Sequence, residues 1–236
     1  MSASVARKRF VDFLRPEQFE RLRANMTPKR VRSGTYLFQD EDWAESLYYI
    51  HEGAVKITKT TDSGEEILLS IKHGGDLVGD PCTLSGALNL TNCIALTDTS
   101  LGVIRKSELE FLFYRHPDLA IAFLQWLSIN QRIMETKMRD LLVYGKTGAL
   151  ASTLIRLCNS CGRLTEEGIL IPMKLTNQDL ANMIGASRES VNRMLNKLKA
   201  EGTLSQRAGQ IIVHDLNRLR EMCHCDGRCP VDVCVI

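Results

Sequence analysis

The stretch from Leu175 to Leu204, "LTNQDLANMIGASRESVNRMLNKLKAEGTL", limits the fold of this chain more than any other. Thr176 and Asp179 have the spacing of a capping box, which predicts the start of a short helix. Gly185 can adopt the left-handed conformation that ends this helix, and Ser187 can cap a second one. Two short helices joined by so tight a turn predict a helix-turn-helix.

The second helix of this motif has a face suited to reading DNA. Its outward residues near the start are Arg188, Glu189, Asn192 and Arg193. Arginine can bind O6 and N7 of guanine together and glutamate can accept from N4 of cytosine, so these residues are predicted to read bases in a major groove. The alternative is an ordinary solvated helix face. The following "LSQRAGQIIVHD" predicts a two-stranded wing turning at Ala208 and Gly209, so residues 147–222 are expected to form a winged helix-turn-helix domain.

Strand signals dominate the first part of the chain. Between about residues 30 and 106, segments such as "SLYYIHEGAVKITKT" and "EEILLSIK" alternate apolar and polar positions and are separated by glycine-containing turns. Closely spaced short strands predict a roll or barrel. Residues 1–116 are expected to form a sensor-like domain of an N-terminal helix and a β-roll, and the whole chain an α+β fold.

Residues 117–146 are predicted to form one long helix that ends at Gly145. A narrow seam of mostly apolar residues recurs along it every three or four residues. Its members are Phe123, Leu127, Asn130, Met134, Met138 and Leu141. A seam of about 40 Å, at about 1.5 Å per residue, is longer than a small domain needs, which favours a homodimer interface. The alternative is a helix that packs only on its own chain.

Charge is distributed unevenly, although the formal net charge is only +2. From Lys174 to Arg220, eight Lys and Arg stand against four Asp and Glu, which favours a polyanionic partner for the C-terminal third. No stretch reaches the roughly 20 apolar residues of a membrane span. No secretory signal is recognisable either, so a cytoplasmic protein without membrane contact is expected.

The cysteine-rich tail, residues 223–236, contains "CHCDGRCPVDVC" and holds four of the eight cysteines. In a reducing compartment such thiols are more typical of a metal site than of disulfides. A Cys-Pro step in a loose loop is typical of iron-sulfur sites, whereas zinc could take four thiolates, or three and His224. An unliganded, oxidisable tail is the third alternative. The tail is expected to have little structure of its own.

Cys158 and Cys161 raise the possibility of a thiol-disulfide oxidoreductase, because two residues separate them. Reactive pairs usually begin a helix, where the dipole lowers the thiol pKa, but "LIRLCNSCG" is predicted to end one at Gly162. We interpret both as packing cysteines, together with Cys82 and Cys93. No enzymatic motif is present, and the protein is predicted not to be an enzyme.

A roll, a long helix and a winged helix-turn-helix in this order resemble the CRP/FNR family of transcription regulators. The stretch "SRESVNRML" is similar to the family's recognition helix, which implies that Arg188, Glu189 and Arg193 read a palindromic TGTGA-type site and that RNA polymerase is a partner. Family members that bind cyclic AMP hold its phosphate with an "RS" pair. The matching "VGDPCTLSGALNLTNCIAL" has no basic residue, so no cyclic nucleotide is expected to bind.

Within the family, the chain resembles the bacillus-type FNR subgroup, in which three C-terminal cysteines and one aspartate hold a 4Fe-4S cluster. The resemblance implies Cys225, Cys229, Cys234 and Asp140 as ligands. The spacing before the "CP" cysteine departs from the subgroup by one residue, which leaves Cys223 as a possible substitute for Cys225. The implied function is an oxygen-responsive regulator of anaerobic gene expression. Alternatives are a zinc-stapled or cluster-independent regulator of the same family.

Overall fold

A computed structural model describes residues 8–62, 64, 66–79, 88–227 and 233–236. Two compact units divide the chain between Ser128 and Ile129, inside a long helix. The sequence predicts a domain boundary after residue 116, where the strand-rich region ends. Packing instead assigns the first turns of the long helix to the first unit, because Leu119, Phe123 and Trp126 are buried in that unit's core.

The first unit is a roll of two antiparallel sheets. A 3₁₀ turn at Phe10–Phe13 and helix α1 at Pro16–Arg23 precede the strands. These are β1 (Thr27–Val31), β2 (Tyr36–Phe38), β3 (Ser46–Glu52), β4 (Ala54–Thr60), β5 (Glu66–His73), β6 (Leu77–Val78), β7 (Asn92–Ala95) and β8 (Thr99–Arg105). The sheets have the orders β1-β8-β3-β6 and β2-β7-β4-β5. Both contribute to one apolar core that includes Ile50, Val55 and Leu101, as the alternating sequence pattern predicts.

Helix α2 (Lys106–Arg115) follows the roll, and α3 spans Pro117–Cys161 with a break at Gly145. Gly145 has φ 61° and ψ −170°, a backbone region that is essentially closed to residues with a Cβ. The prediction that a helix ends at Gly145 is confirmed. A second helical segment, residues 146–161, follows directly.

The second unit combines a four-stranded sheet with helices that share one hydrophobic core. Its further elements are β9 (Arg163–Thr165), β10 (Gly168–Ile171), α4 (Asn177–Ile184), α5 (Arg188–Ala200), β11 (Leu204–Arg207), β12 (Gln210–Val213) and α6 (Leu216–Met222). Strands β11 and β12 form the predicted wing, turning at Ala208 and Gly209. The sheet order β11-β12-β10-β9 shows that two further strands extend this wing, which the sequence did not predict.

The helix-turn-helix has the local geometry that its sequence predicts. Thr176 accepts a hydrogen bond from the backbone N–H of Asp179, and Ser187 accepts one from the N–H of Ser190. Gly185 has φ 58° and ends α4. Helices α4 and α5 pack on the core of the second unit, and the prediction of an α+β fold with a winged helix-turn-helix is confirmed.

The end of the chain is ordered by packing, although the tail is expected to have little structure of its own. Residues 233–236, here called the C-terminal strap, lie against α3. Val233 and Val235 are 2% and 0% exposed and form a small apolar core with Ile133 and Ile129. The alternating valines explain the difference, because burying each side chain contributes roughly 1.5 to 3 kcal/mol.

Candidate functional site

The candidate DNA-reading residues lie together on the exposed face of α5. Arg188, Glu189, Asn192 and Arg193 are all exposed. Glu189 and Arg193 are separated by one helical turn, so their side chains share a face. Asn192 accepts a hydrogen bond from the side-chain amide of Asn177 over 3.1 Å, which ties the starts of α4 and α5 together. Arg193 lies 3.4 Å from the hydroxyl of Ser190.

The side opposite this face fixes α5 in the domain. Val191, Leu195 and Leu198 are buried in the core of the second unit. Within the part of the chain that the structure describes, neither Arg188 nor Glu189 forms an ion pair. Their charges are therefore available to base edges in a major groove.

Asp140 lies at the centre of a buried polar network in the second unit. Its side chain accepts hydrogen bonds from Arg156 over 2.8 Å, from Arg139 over 2.6 Å and from the hydroxyl of Ser152. Burial alone would raise the pKa of this carboxyl, but the hydrogen bonds from Ser152, Arg156 and Arg139 outweigh it and lower the pKa. Asp140 is thus an anion at neutral pH.

Three cysteines of the tail lie near Asp140. Cys223, Cys225 and Cys234 line the same cavity as Asp140, together with Arg139, Ser152, Ile155 and Arg156. The cavity has about 20 Å³, which is room for about one water molecule. A larger group would require this part of the tail to rearrange.

The side chains around this cavity do not converge on one point. Among residues that the structure describes, no three His, Cys, Asp or Glu side chains come close enough to hold a metal ion. Cys229 lies outside the described residues. Burial raises the pKa of Cys223 to about 11, and its thiol donates to the carbonyl oxygen of Leu219 over 3.3 Å. The four-ligand set therefore stays a prediction.

The donor chemistry of this cavity suits an iron-sulfur cluster. Thiolates are the usual ligands of such clusters, and an anionic carboxylate can supply a further one. Arg139 and Arg156 supply positive charge beside the Asp140 carboxylate. Sequence reasoning missed both arginines and Ser152. The signal for Arg156 was a single cation in the apolar run "STLIRLC".

Part of the exposed surface of α3 in the second unit is apolar. Met134, Met138, Leu141 and Leu142, here called the α3 seam, are all exposed, with Met138 at 63%. Leu142 was not among the predicted interface residues. Asn130 is half-buried.

Two predicted interface residues lie in the first unit, and the side chain of one of them is buried in the core of that unit. Phe123 is 4% exposed and packs against Phe10 and Trp126, so its ring is unavailable to a second copy. Leu127 is half-buried and packs on the same core. The exposed apolar residues in this part of the helix are instead Ile121 and Leu124.

The pair Cys158 and Cys161 ends α3, where carbonyl groups disfavour a thiolate. Burial raises the pKa of Cys158 to about 12 and also raises that of Cys161. Burial likewise raises the pKa of Cys93 in the roll to about 12. Cys82 lies outside the described residues. These environments match packing cysteines and argue against a reactive dithiol.

The loop that would face a cyclic phosphate includes residues 80–87, which lie outside the described residues. The expectation that no cyclic nucleotide binds therefore stays a prediction. No helix in the described ranges has the length and apolar character needed to cross a membrane.

Comparison with known proteins gives matches over both units. Residues 28–116 match the family model "Cyclic nucleotide-binding domain", and residues 148–222 match "Crp-like helix-turn-helix domain". The solved structure of the c-di-GMP-responsive global regulator CLP of Xanthomonas campestris has a TM-score of 0.75 and 25% identity, covering 85% of this chain and 99% of that one. A CooA mutant of Carboxydothermus hydrogenoformans, at 18% identity and a TM-score of 0.78 over 93% and 97% of the two chains, shows the same fold.

Two bacterial regulators are similar to this chain over most of its length. A "Global nitrogen regulator" of Synechocystis is 32% identical over 84% of this chain and 90% of its own. The "Anaerobic regulatory protein" of Bacillus subtilis is 39% identical over 95% of both chains. With this identity and a Crp-like helix-turn-helix, the chain belongs to the CRP/FNR family of DNA-binding transcription regulators, a family of regulators and not of enzymes.

Proposed function

We propose that this protein is an oxygen-responsive regulator of anaerobic gene expression, which binds a palindromic TGTGA-type site as a homodimer while a 4Fe-4S cluster is intact. The observation that carries the proposal is the cavity shared by Asp140, Cys223, Cys225 and Cys234. Its 39% identity to the "Anaerobic regulatory protein" of Bacillus subtilis supports the anaerobic role. RNA polymerase is proposed as a partner and the cytoplasm as the location, because the target is DNA.

The proposed ligands are Cys225, Cys229, Cys234 and Asp140, with Cys223 as a substitute for Cys225. When bound, a 4Fe-4S cluster supplies a centre that oxygen can destroy. A carboxylate is a harder and weaker ligand for iron than a thiolate. Asp140 would therefore make the site easier to lose than one with four thiolates.

The position of Asp140 suggests how the ligands act on DNA binding. Asp140 precedes the break of α3 at Gly145, whereas the cysteines follow α6 and the DNA-binding helices. Ligands on both sides of the break would fix the angle between the two segments of α3. Two recognition helices must enter the major groove about 34 Å apart, so a modest change of that angle could abolish binding.

Purification without oxygen tests the proposal directly. The protein should be brown, contain iron and sulfide, and bind a palindromic TGTGA-type duplex. Exposure to air should remove the colour and the DNA binding together. A colourless protein with stoichiometric zinc that binds the same DNA in air would instead establish the zinc-stapled regulator.

The role of Asp140 needs its own variant. Asp140→Ala should lower the iron content and the anaerobic DNA affinity while the protein remains folded. Asp118→Ala is a matched control, because Asp118 is also paired with an arginine, Arg15, but lies in the first unit. Equal iron retention in both variants would remove Asp140 from the ligand set.

A further inference from the structure

Arg156 is buried and distributes its donors over three partners. Its side chain is 3% exposed. One Nη donates to Asp140 over 2.8 Å, the other donates to the carbonyl oxygen of Val233 over 3.0 Å, and Nε donates to the hydroxyl of Ser152 over 3.2 Å. A guanidinium can serve three acceptors in fixed directions, which the ammonium of lysine cannot do from the same position.

Two neighbours of Arg156 on the same helix face also hold the main chain of the strap. The side-chain amide of Asn159 donates to the carbonyl oxygen of Cys234 over 2.8 Å. The backbone N–H of Ile236 donates to the hydroxyl of Ser160 over 3.0 Å. Residues 156, 159 and 160 are three and four positions apart, so they form one row along the second segment of α3.

The other side of the strap packs on the first segment of α3. Val233 and Val235 contact Ile133 and Ile129 there. The strap therefore touches residues on both sides of the break at Gly145, using polar contacts on one side and apolar contacts on the other. None of these contacts requires a metal.

We propose that Arg156 is a positioning residue that docks the C-terminal strap across the α3 break in the cluster-free protein, and so holds Cys234 beside Asp140 before a cluster binds. The docking follows from the described contacts alone, whereas the consequence for the cluster rests on the proposed function. Arg156 joins a carboxylate and a carbonyl from two distant parts of the sequence. Cluster assembly then begins with Asp140 and Cys234 already at one cavity.

Trimming by a carboxypeptidase measures the docking, because the enzyme acts only on a released chain end. Arg156→Gln removes the donor to Val233 and should speed removal of residues 233–236 from cluster-free protein by about tenfold, the loss of roughly one charged hydrogen bond. Arg163→Gln is the matched control, since Arg163 is exposed in β9. Its trimming rate should equal that of the unaltered protein.

Asn159→Ala is a second variant in case the buried arginine cannot be replaced without unfolding. It leaves every charge in place and removes only the hydrogen bond to Cys234, so it should also speed trimming. Circular dichroism at the assay temperature confirms that each variant is folded. An unchanged trimming rate in the folded variants would overturn the proposed docking.

A separate measurement tests the consequence for the cluster. In reconstituted protein, Arg156→Gln should lose its visible absorbance in air about tenfold faster than Arg163→Gln, by the same loss of one charged hydrogen bond. Equal rates would overturn the role of Arg156 in positioning the ligands. If the unaltered protein takes up no cluster, the proposed function fails, while the trimming experiment still decides the docking.

Discussion

Arg193 and Glu189 lie one helical turn apart on the exposed face of α5 and are the residues on which base recognition should depend. Arg193→Ala should weaken binding to the preferred duplex by about 1 to 3 kcal/mol and relax the preference at one base position. Binding to a set of single-base operator variants measures this effect. Lys197→Ala, further along the same helix, is the control, and equal weakening of all sequences by Arg193→Ala would make Arg193 a phosphate contact.

Cys158 offers a test of the enzymatic alternative at the level of one thiol. Burial raises its pKa to about 12, so at pH 8 the thiol is almost entirely protonated and very little reactive thiolate is present. Iodoacetamide should therefore leave Cys158 unmodified in the native protein and modify it readily in denaturant, as peptide mass spectrometry can show. Rapid native modification, or a reductase activity that Cys158→Ser abolishes, would contradict the packing role.

Single residues were predictable from sequence where a local rule fixes them. Thr176, Gly185 and Ser187 occupy cap positions that depend on the nearest few residues. Arg156 depends on a partner, Val233, that lies 77 positions away. No local sequence pattern predicts a contact between residues so far apart. An arginine inside an apolar run indicates only that the buried charge needs a partner.

The break in α3 is the element on which the geometry of the second unit depends. Gly145→Ala would force a Cβ into a backbone conformation that costs about 1 to 3 kcal/mol. Nothing lies within 4 Å of the added Cβ, so the whole cost is conformational. Urea unfolding should show this loss of stability, and Lys146→Ala is a control on the helical side of the break. An unchanged midpoint would mean that the segments realign at no cost.

Elements with a strong repeating pattern or a clear local signal were predictable from sequence. The long helix follows from its apolar repeat, the roll from its alternation and the short wing from its turn at Ala208 and Gly209. Strands β9 and β10 contain only "RLT" and "GILI", and sequence analysis predicted neither of them. Their strand conformation comes from pairing with each other and with β12, a tertiary effect.

The α3 seam should decide whether the whole molecule is a dimer. Met138→Glu places a charge on the exposed apolar face and would bring like charges together across a two-fold interface. Sedimentation should then show monomers, and affinity for a palindromic duplex should fall by at least about tenfold, which is about 1.4 kcal/mol. Arg132→Glu is the control, because Arg132 is exposed on the same helix but is not part of the α3 seam. A Met138→Glu protein that stays dimeric would place the interface elsewhere.

At the scale of the molecule, the order and type of the domains were predictable from sequence. The packing that brings the residues of the candidate site together was not. Asp140 and the tail cysteines were predicted to be ligands of one cluster only because the chain resembles the family. The cavity that Asp140 shares with Cys223, Cys225 and Cys234 depends on how α6 and the strap pack. Phe123 shows the limit of periodicity, because a seam at helical spacing does not tell which chain covers it.

The strap has a consequence for movement within the second unit. Residues 233–236 contact the first segment of α3 at Ile133. They contact the second segment at Arg156 and Asn159. A change in the angle at Gly145 therefore strains the contacts of the strap, and release of the strap frees that angle. Release of the strap and movement at Gly145 are thus thermodynamically linked, each lowering the free-energy cost of the other.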